Sequence, residues 1–233
     1  MTTLYGGQDV AFLTRHGKAA LISPILEPGT GCRIIHTDAY DTDQLGAFAG
    51  DIPRMGSQLE AAREKVRIGM ALTGAVIGVA SEGAFVPDPY GGLMPWNVEI
   101  LVWRDERHKL EVTGMAQGPA RNVHGSARWL PELERLAIEA GFPEHQLMLR
   151  PQSETDPRIH KGIADWVTLK TVFKQCQRQA NNQLVVVESD LRAFCNPTRQ
   201  AMIRQAAVDL LKKLQSTCPQ CALPGFSITG HQA

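Results

Sequence analysis

Glu82 stands where an apolar run, Ala75 to Ala80, gives way to Ser81, Glu82 and Gly83. A carboxylate that ends a buried strand and precedes a glycine contributes little to packing. Such strand ends are where open α/β sheets hold their ligands. Upstream, a helical stretch carries Glu60, Arg63, Glu64 and Lys65; downstream, a second strand carries Glu99. Together these residues read as the centre of a phosphate or metal site. The bland alternative for the helix is an exposed, ion-paired face, since Glu60, Arg63 and Glu64 lie three and four apart on one stripe.

A second group, Thr14-Arg15-His16-Gly17-Lys18, sits where a strand hands over to a helix. Backbone N–H groups and the helix dipole favour an anion there. Lys18 adds a point charge, and Thr14 and His16 add polar contacts for a phosphate. The GxxxxGK[ST] pattern of a Walker loop is absent. The alternative is a surface turn with a solvated lysine.

The loop from Asp38 to Arg54 holds Asp38, Asp41, Asp43 and Asp51. Hard oxygen ligands suit Mg²⁺, which takes one or two carboxylates together with water and substrate phosphate. Asp41 and Asp43, with Glu82 and Glu99, are the expected metal ligands; the alternative for the loop is a solvated acidic segment that binds nothing. Arg54 either reaches a phosphate or pairs with Asp51. Glu188 to Arg199 is the next polar concentration, where a buried strand empties into acids, arginines and an Asn-Pro turn. Arg192 and Arg199 are spaced to clamp a phosphate, with Lys161 and Asn196 beside them; Asn196 and Thr198 read equally well as helix caps. Cys195 reads as a packed thiol. Finally, Cys218-Pro219-Gln220-Cys221 has the spacing of half a zinc knuckle, a site that needs four ligands. His231 is the only further candidate near it in sequence.

These residues require elements to position them. The pattern predicts strands over Asp9–Thr14, Arg33–Thr37, Ala75–Ala80, Asn97–Trp103 and Leu110–Ala116, the last two as a hairpin. Helices are expected over Ala19–Leu26, stopped by Pro28-Gly29, and over Gln58–Leu72. Ser57 and Glu60 have the spacing of a capping box before the second of these. Further on, helices are expected over Pro131–Ala140, Asp165–Gln179 and Thr198–Leu214, with strands over Gln146–Arg150 and Leu184–Glu188. The order implies an α/β fold with a mixed central sheet flanked by helices. It is read as one domain over 1–214, with halves at 1–120 and 121–214, followed by a short zinc-knuckle-like tail over 215–233.

The chain of 233 residues carries 24 basic and 24 acidic side chains, so bulk charge favours neither nucleic acid nor membrane. The balance is uneven along the chain. Residues 1–149 hold 13 Lys and Arg against 18 Asp and Glu, whereas 150–233 hold 11 against 6. That asymmetry suits a metal-nucleotide ligand, and it equally suits two solvated surfaces. The start of the sequence lacks the pattern of a secretory signal, and no apolar run nears the roughly 18 residues a spanning helix needs. Five cysteines do not make a disulfide framework. A cytoplasmic location is expected.

Two resemblances add to this reading. Thr14 with Lys18, the helix with Glu60-Ala61-Ala62 and Lys65, and the strand Gly78-Val79-Ala80-Ser81-Glu82-Gly83 together resemble the inosine/xanthosine triphosphate pyrophosphatases and the Maf-type nucleotide pyrophosphatases. The resemblance spans residues 9–115. It departs from those families at His16, where Asn is usual, and at Ala84, where a second Gly is preferred. It implies an inosine-triphosphatase-like α/β fold and Mg²⁺-dependent hydrolysis of nucleoside triphosphates. By it, Lys18 and Lys65 hold phosphates, while Glu60 and Glu82 hold metal or activate water. His16-Gly17-Lys18, Asp41 to Gly50, Ala80 to Phe85, Asp190 to Arg199 and Cys218 to Phe226 also resemble a bacterial family of unknown function, which implies no activity.

The expectation is thus a Mg²⁺-dependent phosphoanhydride hydrolase, a nucleoside triphosphate pyrophosphatase, acting on a small phosphorylated, nucleotide-like ligand. Glu82, Glu60 and Lys65 would be its catalytic residues. The alternatives are a non-catalytic nucleotide sensor and a zinc-dependent nucleic-acid adaptor built on Cys218 and Cys221. Nucleic acid is the less favoured partner, because no basic stretch interleaves with aromatics. A homodimer is compatible with the sequence.

Overall fold

The computed structural model of the chain describes residues 4–15, 17–45 and 56–227, with the side chain of Asp43 excluded. His16, Arg54, Asp51 and His231 lie outside the described residues. The chain divides into two compact units, residues 1–118 with 200–233, and residues 119–199.

The first unit is an α/β layer structure. Strand β1 (Asp9–Leu13) leads into α1 (Ala19–Thr30), β2 (Arg33–Thr37), a single 3-10 turn at Thr42–Leu45, and α2 (Gln58–Thr73). Strands β3 (Ile77–Pro87), β4 (Pro95–Asp105) and β5 (Leu110–Pro119) follow. They form one five-stranded mixed sheet in the order β2-β1-β3-β4-β5. Strand β1 is parallel to both β2 and β3, and β3 is antiparallel to β4. The mixed sheet flanked by helices is therefore present.

Helix α2 starts where the sequence places it. The Ser57 hydroxyl accepts from Glu60 N–H and the Glu60 carboxylate accepts from Ser57 N–H, while Gly74 ends the helix in the left-handed region. Its buried side, Ala61, Ala62, Lys65, Val66 and Gly69, lies on the face of the sheet that carries Ala80, Ile100 and Val102. The opposite face meets the last helix, α5 (Pro197–Gln215). A Cβ on Gly114 of β5 would come within 2.5 Å of the Ala206 carbonyl oxygen in that helix.

Helix α1 runs four residues beyond the expected stop. Gly29 lies within the helix, which runs to Thr30, and packs against α5, where a Cβ would come within 2.5 Å of the Leu211 methyl groups. Gly31, at φ +74°, is the cap. A larger difference concerns β3, expected to end at Ala80. It continues through Ser81, Glu82 and Gly83 to Pro87, because β4 pairs with it along its whole length, from Ile77 opposite Asp105 to Pro87 opposite Pro95. The Pro/Gly segment between them is the hairpin turn, organised by Asp88. Its carboxylate accepts from the N–H groups of Tyr90, Gly91 and Met94, and these bonds hold its pKa far below the usual range.

The second unit is built on a wholly antiparallel sheet in the order β6-β9-β7-β8. Its strands are β6 (His124–Ala127), β7 (Leu147–Pro151), β8 (His160–Ile163) and β9 (Val185–Ser189), with helices α3 (Leu130–Ala140) and α4 (Trp166–Gln179) between them. Leu133, Leu136, Leu147, Leu149, Leu169 and Phe173 form its core. Strands β6 and β8 escape a sequence reading: each is four residues long with a single buried residue at its end, so neither has an apolar alternation to show. No described helix is long and apolar enough to cross a membrane.

Candidate functional site

The strand β1 ends at Leu13, and its register with β3 ends at Phe12 opposite Val79. Beyond that point β3 runs on without β1. Helices α1 and α2, which follow β1 and β2, lie on opposite faces, so the β1/β3 boundary is a topological switch point, where open α/β sheets form their crevices. Thr14, Lys18, Ser81 and Glu82 all cluster at this end.

Lys18 is the N-cap residue of α1, whose first turn has no side-chain cap and no acidic residue. Its ammonium, 6% exposed, donates to the Ser81 carbonyl at 3.0 Å and to the Ser81 hydroxyl at 3.3 Å. Thr14 is buried beside it; its carbonyl meets His36 Nε2 at 2.8 Å. The neighbouring Arg15 forms an ion pair with Asp41 at 2.6 Å. The acidic loop and the β1–α1 loop therefore meet, at an arginine rather than at a metal cage. Asp43 lies in the 3-10 turn.

Glu82 points the other way. Successive side chains of a strand alternate between faces, and Gly78, Ala80 and Glu82 share the α2 face. There the Lys65 ammonium meets the Glu82 carboxylate at 2.5 Å, with the two residues 9% and 3% exposed. The sequence pattern puts Lys65 beside the charged stripe; the helix turns it inward among Ala61, Ala62 and Val66. The stripe itself is spent on other partners: Arg63 with Glu111 of β5, Glu64 with Arg67, and Glu60 with the Ser57 N–H. Glu60 therefore acts as a helix cap, and the amide holds its carboxyl below the usual range.

Glu99 is fully buried opposite Gly83 in the β3–β4 register, on the face away from α2. Glu82 and Glu99 thus project from opposite faces and do not converge on one ion. Glu99 Oε1 instead accepts from Asn97 Nδ2 at 3.2 Å. No group of three or more His, Cys, Asp or Glu side chains able to hold a metal exists among the described residues.

Three participants escape the sequence reading. Ser81 receives Lys18, Asn97 is 1% exposed next to Glu99, and Gln58 Nε2 donates to the carbonyls of Glu82 and Val98. Asn97 carried a legible signal, two polar residues at a spacing of two within an otherwise apolar strand.

The second polar cluster lies within the other unit. Asp190 is fully buried and is gripped by Arg192 through both oxygens, at 2.9 and 2.5 Å, and by Gly162 N–H at 3.0 Å. Arg192 also stacks over the Phe194 ring at 4.6 Å. Asn196 Oδ1 accepts from Arg199 N–H, so it caps α5, and Arg199 donates to the Leu191 carbonyl. Lys161 stands exposed on β8. Burial pushes the Cys195 thiol up to about 12, which leaves it inert. These side chains hold a turn together.

Cys218 and Cys221 lie after α5. The Cys221 and Gln220 amides, with the Cys221 thiol, hold the Cys218 thiol below its usual range.

These features define an α/β protein with a buried lysine, Lys18, at the carboxyl ends of two parallel strands. The chain belongs to the family described as a domain of unknown function, DUF6671, whose model matches residues 65–233. No curated protein and no solved structure matches the chain.

Proposed function

We propose that the β1/β3 crevice binds the phosphates of a nucleotide-like ligand and hydrolyses a phosphoanhydride bond with Mg²⁺. The observation that carries this reading is the buried Lys65–Glu82 pair on the α2 face of β3, with Lys18 bonded to Ser81 on its other face, at the end where β3 outruns β1. Lys18 and the first-turn N–H groups of α1 would take phosphoryl oxygens. Lys65 would pass from Glu82 to the phosphoryl group as negative charge builds there. Glu82, released, would accept the proton of the attacking water. Mg²⁺ bound to the ligand's phosphates, with Asp41 as its one protein carboxylate, would neutralise phosphate charge.

One observation favours a second reading, a sensor that binds without turnover. Glu82 already faces an ammonium at 2.5 Å, which is the resting state of a structural pair as much as of a base.

The test is a phosphate and pyrophosphate release screen with Mg²⁺ or Mn²⁺ over standard and deaminated nucleotides. Glu82→Gln and Lys18→Met are run in parallel, with circular dichroism to confirm folding. Removing a general base should lower turnover by about 10²–10⁴-fold. Wild-type release from Glu82→Gln removes Glu82 from the mechanism. Binding without release by the wild-type chain selects the sensor.

A further inference from the structure

The proposed phosphate site makes no use of the segment after α5, which is nonetheless tightly built. Thr217 and Pro224 form an antiparallel bridge that closes a loop around Cys218 and Cys221. Cys218 N–H donates to the Leu223 carbonyl and Ala222 N–H to the Cys218 carbonyl, both at 2.8 Å. The second of these bonds closes a single helical turn, and residues three apart in such a turn are neighbours on one side of it. The Cys221 thiol accordingly lies beside the Cys218 sulfur, with the Gln220 and Cys221 amides directed at the same atom.

The frame of the loop does not depend on sulfur. Gly225 N–H reaches the Lys213 carbonyl at 2.9 Å, and Phe226 N–H reaches the Ser216 carbonyl at 3.1 Å. Val112 leaves no room for a side chain at Gly225. A bond between the two sulfurs can form and break while these contacts persist.

The five cysteines differ in access. Cys221 is exposed and Cys218 half-buried, whereas Cys32, Cys176 and Cys195 are buried. Burial raises the Cys32 thiol, and pushes Cys176 up to about 11 and Cys195 up to about 12. The thiolate is the nucleophile, so those three are inert. Cys218 and Cys221 are the pair that solvent reaches, and each is the other's nearest reaction partner.

We propose that Cys218 and Cys221 form a thiol–disulfide exchange site that reduces a low-molecular-weight disulfide and closes into an internal disulfide. The Cys218 thiolate attacks one sulfur of the small disulfide, and the other half leaves as a thiolate. Cys221 gives its proton to that thiolate, and its sulfur attacks Cys218 in the mixed disulfide. The second half leaves and takes up the proton that Cys218 had released to solvent. Two protein thiols are oxidised and one small disulfide is reduced to two thiols. An excess of small thiol runs the sequence backwards.

The test places the full chain, reduced and with a chelator present, in mixtures of reduced and oxidised glutathione. Two of the five thiols should disappear together, with mass spectrometry locating an internal Cys218–Cys221 bond. Excess reduced glutathione should restore both, and circular dichroism should stay unchanged throughout. Cys221→Ser should react at close to the wild-type rate yet stop at a mixed disulfide on Cys218. Cys218→Ser should react several-fold more slowly and likewise fail to close. Thiols that persist at every ratio, glutathione carried on both sulfurs without closure, or bonds between chains in place of the internal one would each overturn the proposal.

Discussion

The Lys65–Glu82 pair makes a quantitative demand on stability that is independent of any substrate. Both groups are nearly sealed from solvent, at 9% and 3% exposure, and meet at 2.5 Å. Removing one member of a buried pair leaves the other charge in a poor solvent and costs about 3–5 kcal/mol. Replacing both by neutral groups of similar shape is often close to neutral. Lys65→Met and Glu82→Gln should therefore each lose about 3–5 kcal/mol, whereas the double variant should lie within about 2 kcal/mol of wild type. The cycle then returns a coupling of at least about 4 kcal/mol. Urea unfolding at neutral pH measures all four corners, and an unchanged slope confirms that midpoints report stability. Single losses under about 1 kcal/mol with additive effects would mean that water screens the pair as it screens a surface ion pair. The buried-site account of Glu82 would then fail. Strong coupling with undiminished nucleotide hydrolysis in Glu82→Gln would instead make the pair a structural element only.

Two further outcomes test the frame around the site. Gly114→Ala should cost about 3 kcal/mol or more, at the top of the overpacking range. The new methyl would meet backbone atoms of α5, the Ala206 oxygen at 2.5 Å and the Leu210 nitrogen at 2.6 Å, which cannot swing aside. A urea midpoint near wild type would show that α5 does not bear on β5 as described. His145, bonded to Thr198 at 2.7 Å, has its pKa lowered chiefly by burial. The unfolded chain takes up that proton near a pH of about 6.5, so its contribution is present above that value and lost as pH falls through it. Urea midpoints at about pH 8 and about pH 5 should therefore converge in His145→Gln relative to wild type. An identical spread in both proteins would refute the assignment.

Much of the frame was legible because local chemistry agrees with global packing. Ser57, Glu60 and Gly74 mark α2 at both ends, and Asp165 caps α4 through the Thr168 N–H. The sheet boundaries were less legible. Ser81-Glu82-Gly83 looks like a strand end because polar residues usually are, yet β4 supplies ladder partners that local composition does not reveal. Lys18 and Glu82 were identifiable as members of one neighbourhood, whereas their assignment to opposite faces depends on strand parity. Glu60 was legible twice over, as cap and as candidate catalyst, and the Ser57 amide accounts for the carboxylate. At Asp190 to Arg199 the residue types suit both a phosphate clamp and a buried turn. Only the burial of Asp190 and the two-pronged grip of Arg192 separate them.

The parity of β3 also limits how this chain can change length. Ser81 serves Lys18 on one face and Glu82 serves Lys65 on the other, so a single inserted or deleted residue between Ile77 and Glu82 exchanges their faces. The carboxylate would then turn toward Lys18, and Lys65 would be left inside α2's apolar side without its counter-charge. The hairpin turn between Pro87 and Pro95 carries no such restriction, because steps of two residues there preserve the alternation. Genetic tolerance to insertion should therefore switch abruptly along one strand, from the crevice end to the hairpin tip.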